Sequence, residues 1–152
     1  MTSRPKGAVQ VEQLITGREL QRVPGAQLSA QSSLERARQL LASAGTLLET
    51  DPGTAFVIAY DAARQAGAAV LAQQGLRATR EGGHVAVERA LRAQFEPGFA
   101  DFGYLRRRRN ELEYPGPAGP ETTSVEEARQ ALADSSAMVE ASAQLLPVLD
   151  IF

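Results

Sequence analysis

Four consecutive arginines followed by an amide, two acids and a tyrosine form the part of this sequence best suited to chemistry. The stretch reads Arg106-Arg107-Arg108-Arg109-Asn110-Glu111-Leu112-Glu113-Tyr114-Pro115. Arg109 shares a helical stripe with apolar residues spaced three to four positions apart, namely Phe102, Leu105 and Leu112. An arginine that faces a helical interface is costly unless it meets a carboxylate, a phosphate or a polar cleft. We therefore take Arg109, Asn110 and Tyr114 as candidate site residues.

The same residue types also permit a purely structural interpretation. Arg109 could form an ion pair across helices with Asp61, Glu111 or Glu113, in which case its charge would serve the fold. Tyr114, directly before a proline, could serve only to anchor the loop that follows. The sequence leaves both alternatives open.

The basic residues are distributed unevenly along a chain whose net charge is only −2. Eight of the sixteen lie between Arg77 and Arg109, where four acids oppose them. Local positive charge on an acidic protein indicates a confined anion site rather than general coating of DNA. We predict that Arg106, Arg107, Arg108 and Arg109 attract nucleic-acid phosphates, although the first three also suit a solvated helix face.

The composition excludes several classes of site. The chain has 152 residues, of which 43% are hydrophobic and 22% charged, as expected of one globular domain. Cysteine is absent and His84 is the only histidine. We therefore expect no metal site, no Ser-His-Asp triad and no cofactor. No apolar stretch is long enough to cross a bilayer and no signal peptide is indicated, so a cytoplasmic protein without membrane contact is expected.

Apolar periodicity predicts an all-α fold, an up-and-down bundle of four to five antiparallel helices without a sheet. Asp51-Pro52 suits a helix start, and Ser124 to Glu127 matches a capping box. We expect helices over residues 30–49, 52–74, 83–95, 99–113 and 123–146. Residues 1–29 contain several prolines and glycines and are expected to form a flexible arm, with the bundle spanning residues 30–152.

A helical bundle with Arg-Asn followed by a polar ring residue just before the last helix resembles the HEPN superfamily. The hallmark of that superfamily is Arg, four to six residues, then His. In this chain the corresponding stretch runs from Arg109 to Tyr114, and the tyrosine stands where the histidine would be. Together with Tyr60-Asp61-Ala62-Ala63-Arg64 and Gly82-Gly83-His84, it resembles the bacterial SAV-6107-like HEPN subfamily over about residues 30–146.

The resemblance implies RNA chemistry. Many HEPN proteins are metal-independent ribonucleases that act as toxins of toxin–antitoxin pairs or in phage defence, usually as dimers whose paired motifs face one cleft. The family's arginine corresponds to Arg109, its polar neighbour to Asn110 and its histidine to Tyr114, with Asp61 or else Arg64 as a polar helper on the second long helix. The implied partners are a second copy, RNA, and a cognate antitoxin or nucleotidyltransferase.

Tyrosine in place of histidine changes the expected chemistry. Arg109 can stabilise negative charge on phosphoryl oxygens, whereas a phenol with a reference pKa near 10 is a poor general base at neutral pH. We therefore expect RNA binding to exceed cleavage. The alternatives are a non-catalytic helical dimerisation module, or a protein in which Tyr114 accepts a nucleotidyl group. We interpret His84 as the start of a helix and Tyr60 as a core residue.

Overall fold

The computed structural model describes residues 5–152 and has an all-α fold. Within that range, the chain forms six α-helices and one short two-stranded ladder. The helices are α1 (Ala8–Thr16), α2 (Ala30–Leu47), α3 (Pro52–Gln73), α4 (Gly83–Phe95), α5 (Phe102–Glu113) and α6 (Val125–Leu145). The strands are β1 (Leu20–Arg22) and β2 (Leu76–Ala78), and short 3-10 turns precede α2 and follow α6.

The five helices expected from the sequence are present, and the local signals that predicted their starts are used. The Asp51 carboxylate accepts a hydrogen bond from the backbone N–H of Thr54 at 3.2 Å, and Pro52 occupies the first turn of α3. Ser124 Oγ accepts from the N–H of Glu127 at 3.0 Å, which caps α6. Both caps satisfy backbone donors that a helix cannot satisfy internally.

Helix α3 is buried on two sides and separates two parts of the core. One side carries alanines that pack against α2 and α6, including Ala62, Ala66 and Ala69. The other side carries the larger Phe56 and Tyr60, which pack against residues of α4 and α5. Small side chains on one face allow close helix packing, and the larger ones on the other fill the wider space beneath α4 and α5.

The expectation of a bundle without any sheet is wrong at one place. Strands β1 and β2 pair antiparallel, with Leu20 opposite Ala78 and Arg22 opposite Leu76. Leu20 and Leu76 point inward and are buried. Each strand has only three residues, and that length is too short for a period of two to show in the sequence.

Much of the predicted N-terminal arm belongs to the packed structure. Val11 and Leu14 of α1 are buried in the main core, and α1 lies against α4. Gly7 precedes α1 in the left-handed conformation, at φ 78°, where a side chain would meet the carbonyl of Ala93. The glycine that suggested disorder therefore serves a close backbone approach. Residues 1–4 of the predicted arm lie outside the described residues.

In the described part of the chain, none of the helices combines the length and the apolar character needed to cross a membrane.

The start of α4 is fixed by side-chain and backbone contacts to the segment before β1. Thr79 Oγ donates to the carbonyl of Arg18 at 2.6 Å and accepts from the N–H of Gly82 at 3.0 Å. Gly82 lies so close to this segment that an added Cβ would be 2.1 Å from the carbonyl oxygen of Glu19. The position of His84, two residues later, thus depends on a backbone contact that only glycine permits.

We expect Gly82→Ala to destabilise the fold by about 1–3 kcal/mol, since backbone atoms must move apart to admit the methyl group. Urea denaturation followed by circular dichroism measures this change. Gly116→Ala is the matched control, because no atom lies within 4 Å of its added Cβ, and it should alter stability by less than about 0.5 kcal/mol. Equal stability of the two variants would contradict the proposed role of Gly82.

Candidate functional site

Three helices bring a group of polar side chains together at one side of the core. Helix α3 contributes Tyr60, Asp61 and Arg64, the first turn of α4 contributes His84, and α5 contributes Arg106 and Arg109. We call these six residues the cationic cluster. The ring of Phe102 packs edge-on against Tyr60, with centroids 5.7 Å apart, and holds α5 against α3.

A hydrogen bond between Tyr60 and His84 lies at the centre of the cationic cluster. Tyr60 Oη is 2.8 Å from His84 Nδ1. Tyr60 is 0% exposed, and His84 is the only hydrogen-bond partner of its hydroxyl within residues 5–152. The phenol must therefore donate its proton to Nδ1, since a buried donor without a partner is costly. A neutral His84 then carries its own proton on Nε2, at the opposite edge of the ring.

Burial and nearby charge keep His84 neutral. The pKa of His84 is lowered from 6.5 to about 4, first by burial and then by the positive charges of Arg64, Arg109 and Arg106. Burial is also the main reason that the pKa of Tyr60 is raised. The hydrogen bond therefore joins two neutral groups at physiological pH, with the tyrosine as donor.

Asp61 is the acidic member of the cationic cluster. Burial raises the pKa of Asp61, whereas the charges of Arg64 and Arg109 lower it and that of Glu113 raises it. The carboxylate lies 4.0 Å from Arg64 Nε, at the long end of ion-pair distances. One loosely held carboxylate leaves the cationic cluster with an excess of positive charge.

Arg109 points into the cationic cluster, as the helical stripe predicted. Its guanidinium carbon lies 5.9 Å from the centroid of the Tyr60 ring, within the range of a cation–π contact. Its Nε is buried and has no hydrogen-bond partner in the part of the chain that the structure describes. The terminal NH1 reaches only Asn110 Oδ1, at 3.4 Å. Arg109 forms no ion pair within residues 5–152, so the structural interpretation by pairing across helices is not realised there.

Arg106 is held differently from Arg109. Its Nε donates to Glu88 Oε2 at 3.1 Å, and Arg92 approaches the same carboxylate at 3.5 Å. Glu88 is buried, and its carboxylate occupies the space that a side chain at Gly103 would need. This arrangement joins α4 to α5 and gives Arg106 a carboxylate partner.

Arg108 contacts three carboxylates and joins α5 to the start of α6. It donates to Glu127 at 2.5 Å and to Glu111 at 2.9 Å, contacts Glu121, and bonds the carbonyl of Thr122 at 3.1 Å. Hydrogen bonds to these carboxylates raise its pKa. These contacts give Arg108 a structural role that does not require a nucleic acid. Arg107, in contrast, is exposed and forms no ion pair within residues 5–152.

Tyr114 lies outside the cationic cluster. It ends α5 and is 71% exposed, and no hydrogen bond joins its side chain to Arg109 or Asp61 within the described residues. Of the four site residues predicted from the sequence, Arg109 is close enough to Asp61 to affect its pKa and contacts Asn110, whereas Tyr114 shares no hydrogen bond with Arg109 or Asp61 within the described residues. Sequence analysis missed His84 and Tyr60 as partners. The signal that could have found them is a sole histidine directly after a Gly-Gly helix start.

The protonation of His84 can be measured directly because the chain contains one histidine. We expect its ring C–H signal, followed by NMR, to titrate with a midpoint of about 4 rather than 6.5. Nitrogen shifts should report the form protonated on Nε2. Arg109→Gln should raise the midpoint because it removes a nearby positive charge, whereas Arg38→Gln on the exposed face of α2 should not. A wild-type midpoint at or above 6.5 would contradict this assignment.

The same shift predicts how folding stability depends on pH. His84 has a pKa of about 4 when folded and 6.5 when unfolded, so the unfolded chain takes up the proton first as the pH falls. The contribution of neutral His84 is fully present above pH 6.5 and lost as the pH falls through 4. We expect the loss to be about 1–2 kcal/mol after allowance for partial exposure of the ring.

The control for this prediction is His84→Asn, in which the amide oxygen can still accept from Tyr60 but does not titrate. The difference in unfolding free energy between wild type and His84→Asn should shrink, or change sign in favour of the variant, between pH 6.5 and pH 4. Carboxylates titrate in both proteins and cancel in this difference. A difference that is constant with pH would show that His84 has the same pKa in both states.

No match to this chain was found among protein-family models, curated proteins or solved structures. The distinctive features of the site are the Tyr60–His84 pair and the guanidinium of Arg109, which forms no ion pair within residues 5–152.

Proposed function

We propose that this chain is a cytoplasmic RNA-binding protein of the HEPN type, and that it binds phosphate at the cationic cluster. The observation that carries the proposal is the state of Arg109. Its guanidinium is fixed over Tyr60, and its buried Nε–H is without a partner within residues 5–152. The Nε–H itself is enclosed, but the guanidinium forms no ion pair within residues 5–152, so its charge is available to an anion that approaches its terminal nitrogens.

Phosphate is the acceptor that suits these donors. Arginine presents a planar fork of N–H groups that matches two phosphate oxygens. Arg64 adds a second positive charge from α3, and His84 adds an N–H donor from Nε2 when Tyr60 bonds its Nδ1. A polyanion such as RNA meets this arrangement through its backbone, so the affinity is expected to depend little on base sequence and strongly on salt.

The geometry favours binding over cleavage. Metal-independent cleavage of RNA requires a group that accepts the proton of the attacking 2′-hydroxyl. In the tautomer that Tyr60 imposes, the free edge of His84 is a donor, and Tyr114 is exposed and makes no hydrogen bond to Arg109 within the described residues. We therefore propose that the chain has a ribonuclease-like fold that has lost cleavage and retains phosphate binding. Its proposed protein partner is a cognate antitoxin or a nucleotidyltransferase.

A second candidate function, a dimerisation or interaction module, is favoured by one specific feature of α5. Tyr104, Arg107, Glu111 and Tyr114 are all exposed and recur at spacings of three and four residues, so they share one stripe of the helix. In a twofold pairing of two α5 helices, Arg107 of each copy would face Glu111 of the other. Exposed tyrosines suit interface cores, and Tyr114 would also be accessible to a nucleotidyltransferase.

We expect Arg109→Gln and Arg64→Gln each to weaken binding of an unstructured RNA by about 1–3 kcal/mol, because each removes a charge-assisted contact. Fluorescence anisotropy at several salt concentrations measures this change. Arg38→Gln is the matched control, since the charge change is the same and its side chain is exposed on α2, away from the cationic cluster. It should lower affinity only by the weak general effect of one charge.

Incubation of the labelled RNA with wild-type protein in chelator tests the lack of cleavage. Rapid cleavage that Arg109→Gln abolishes would overturn the view that the protein binds without cutting. If wild type and Arg109→Gln bind RNA equally at low salt, phosphate binding at the cationic cluster is wrong. A dimer by light scattering that dissociates in Tyr104→Lys would then favour the interaction module.

A further inference from the structure

A groove beside His84 extends away from the Tyr60–His84 pair. It has a volume of about 260 Å³ and lies between α3, β2 and the start of α4. We call it the His84 groove. Its α3 wall is one face of the helix, since its three lining residues follow a spacing of four and three. The groove is lined by Arg64, Ala68 and Leu71 of α3, Arg77 of β2, and His84 and Val87 of α4.

The His84 groove combines an apolar interior with basic side chains. Leu71 and Val87 are buried and Ala68 is half-buried, so they form an apolar surface. Arg64 is half-buried and Arg77 is exposed, which places their charges toward solvent. The described lining includes no acidic residue. The hydroxyl of Thr79 is already used by Arg18 and Gly82, so it is not available to orient a ligand.

These features define the chemistry of an occupant. It must have a small apolar body that fits about 260 Å³, which is slightly below the range of sites for drug-sized ligands. It must also carry negative charge next to that body, because Arg64 and Arg77 lie there beside His84. An inorganic anion would make no use of the apolar surface, and a neutral ring would make no use of the positive charges of Arg64 and Arg77.

We propose that the His84 groove binds one nucleotide of the RNA, with the base against Ala68, Leu71 and Val87 and its phosphate at Arg64 and Arg77. This inference rests on the proposed function and deepens it, because it assigns a base-binding subsite next to the phosphate site. A flat base buries apolar area in the groove, and each base has such a face. Arg64 and His84 border both the cationic cluster and the His84 groove, so the two sites are continuous.

The ring signals of His84 report occupancy of the groove, since His84 is the sole histidine. Wild-type protein is titrated by NMR with adenosine monophosphate, cytidine monophosphate, ribose 5-phosphate and inorganic phosphate. We expect both nucleotides to bind at least about tenfold more tightly than ribose 5-phosphate, because only they carry a base. Equal affinity for the nucleotides and ribose 5-phosphate would overturn the base subsite and leave an anion site alone.

A variant that fills the groove provides a second test. Ala68→Leu adds bulk to the groove, keeps a good helix former in α3 and leaves Arg64, His84 and Arg109 unchanged. It should weaken nucleotide binding at least about tenfold and leave the affinity for inorganic phosphate within about twofold of wild type. Ala42→Leu, at an exposed position on α2, is the matched control and should leave both affinities unchanged.

The two proposals fail in different ways. If RNA binding depends on Arg64 and Arg109 but Ala68→Leu leaves nucleotide binding unchanged, the groove assignment is wrong and the phosphate site stands. If neither RNA nor any phosphate compound shifts the His84 signals, both proposals are wrong. Folding of Ala68→Leu is checked by its circular dichroism spectrum and urea midpoint. If that variant proves unstable, the comparison of nucleotides with ribose 5-phosphate on wild type decides the question.

Discussion

The burial of α3 on two sides is the constraint on which the rest of the structure depends. A helix packed against α2 and α6 on one face and against α4 and α5 on the other can carry polar side chains only where those partners leave space. Tyr60 lies on the side toward α4 and α5, and its ring is fully buried. Its hydroxyl therefore needs a partner inside the protein, and His84 Nδ1 at 2.8 Å is that partner. The first turn of α4 is thereby tied to the centre of α3.

The four consecutive arginines of α5 show how helix geometry divides one basic run among different tasks. Successive residues point about 100° apart around a helix. Arg106 consequently meets Glu88 of α4, Arg108 meets Glu127 at the start of α6, and Arg107 faces solvent. Arg109 points toward Tyr60 and forms no ion pair among the described residues. Charge in the linear sequence thus overstates the charge available to bind a ligand.

The sequence predicted the helices well because their signals are local. Asp51 and Pro52 mark the start of α3, and Ser124 marks the start of α6, by hydrogen bonds made within a few residues. The orientation of Arg109 was also predictable, since apolar residues on either side of it along α5 define a stripe. These inferences require only the period of the helix.

The features that the sequence did not predict depend on contacts between residues distant in the chain. Tyr60 and His84 are separated by 24 residues, and an aromatic residue in an alanine-rich helix is normally interpreted as core. That interpretation is correct for the ring of Tyr60 but does not extend to its hydroxyl. Strand β1 pairs with β2 across more than fifty residues, and three-residue strands leave no alternation to detect. Glycines at positions 7 and 82 resemble loop breakers in the sequence, but both serve close backbone contacts.

In the proposed site, the pKa of His84 and the affinity for phosphate are coupled. Burial and the charges of Arg64, Arg109 and Arg106 lower the pKa of His84 to about 4 in the free protein. A phosphate bound beside the ring would offset those positive charges and so raise that pKa. By linkage, protonation of His84 must then strengthen phosphate binding by the same free energy. A fall in pH from neutrality weakens the fold, because a half-buried histidine becomes charged. In the proposed site it would also strengthen the binding of an anion, because the same charge would face the phosphate.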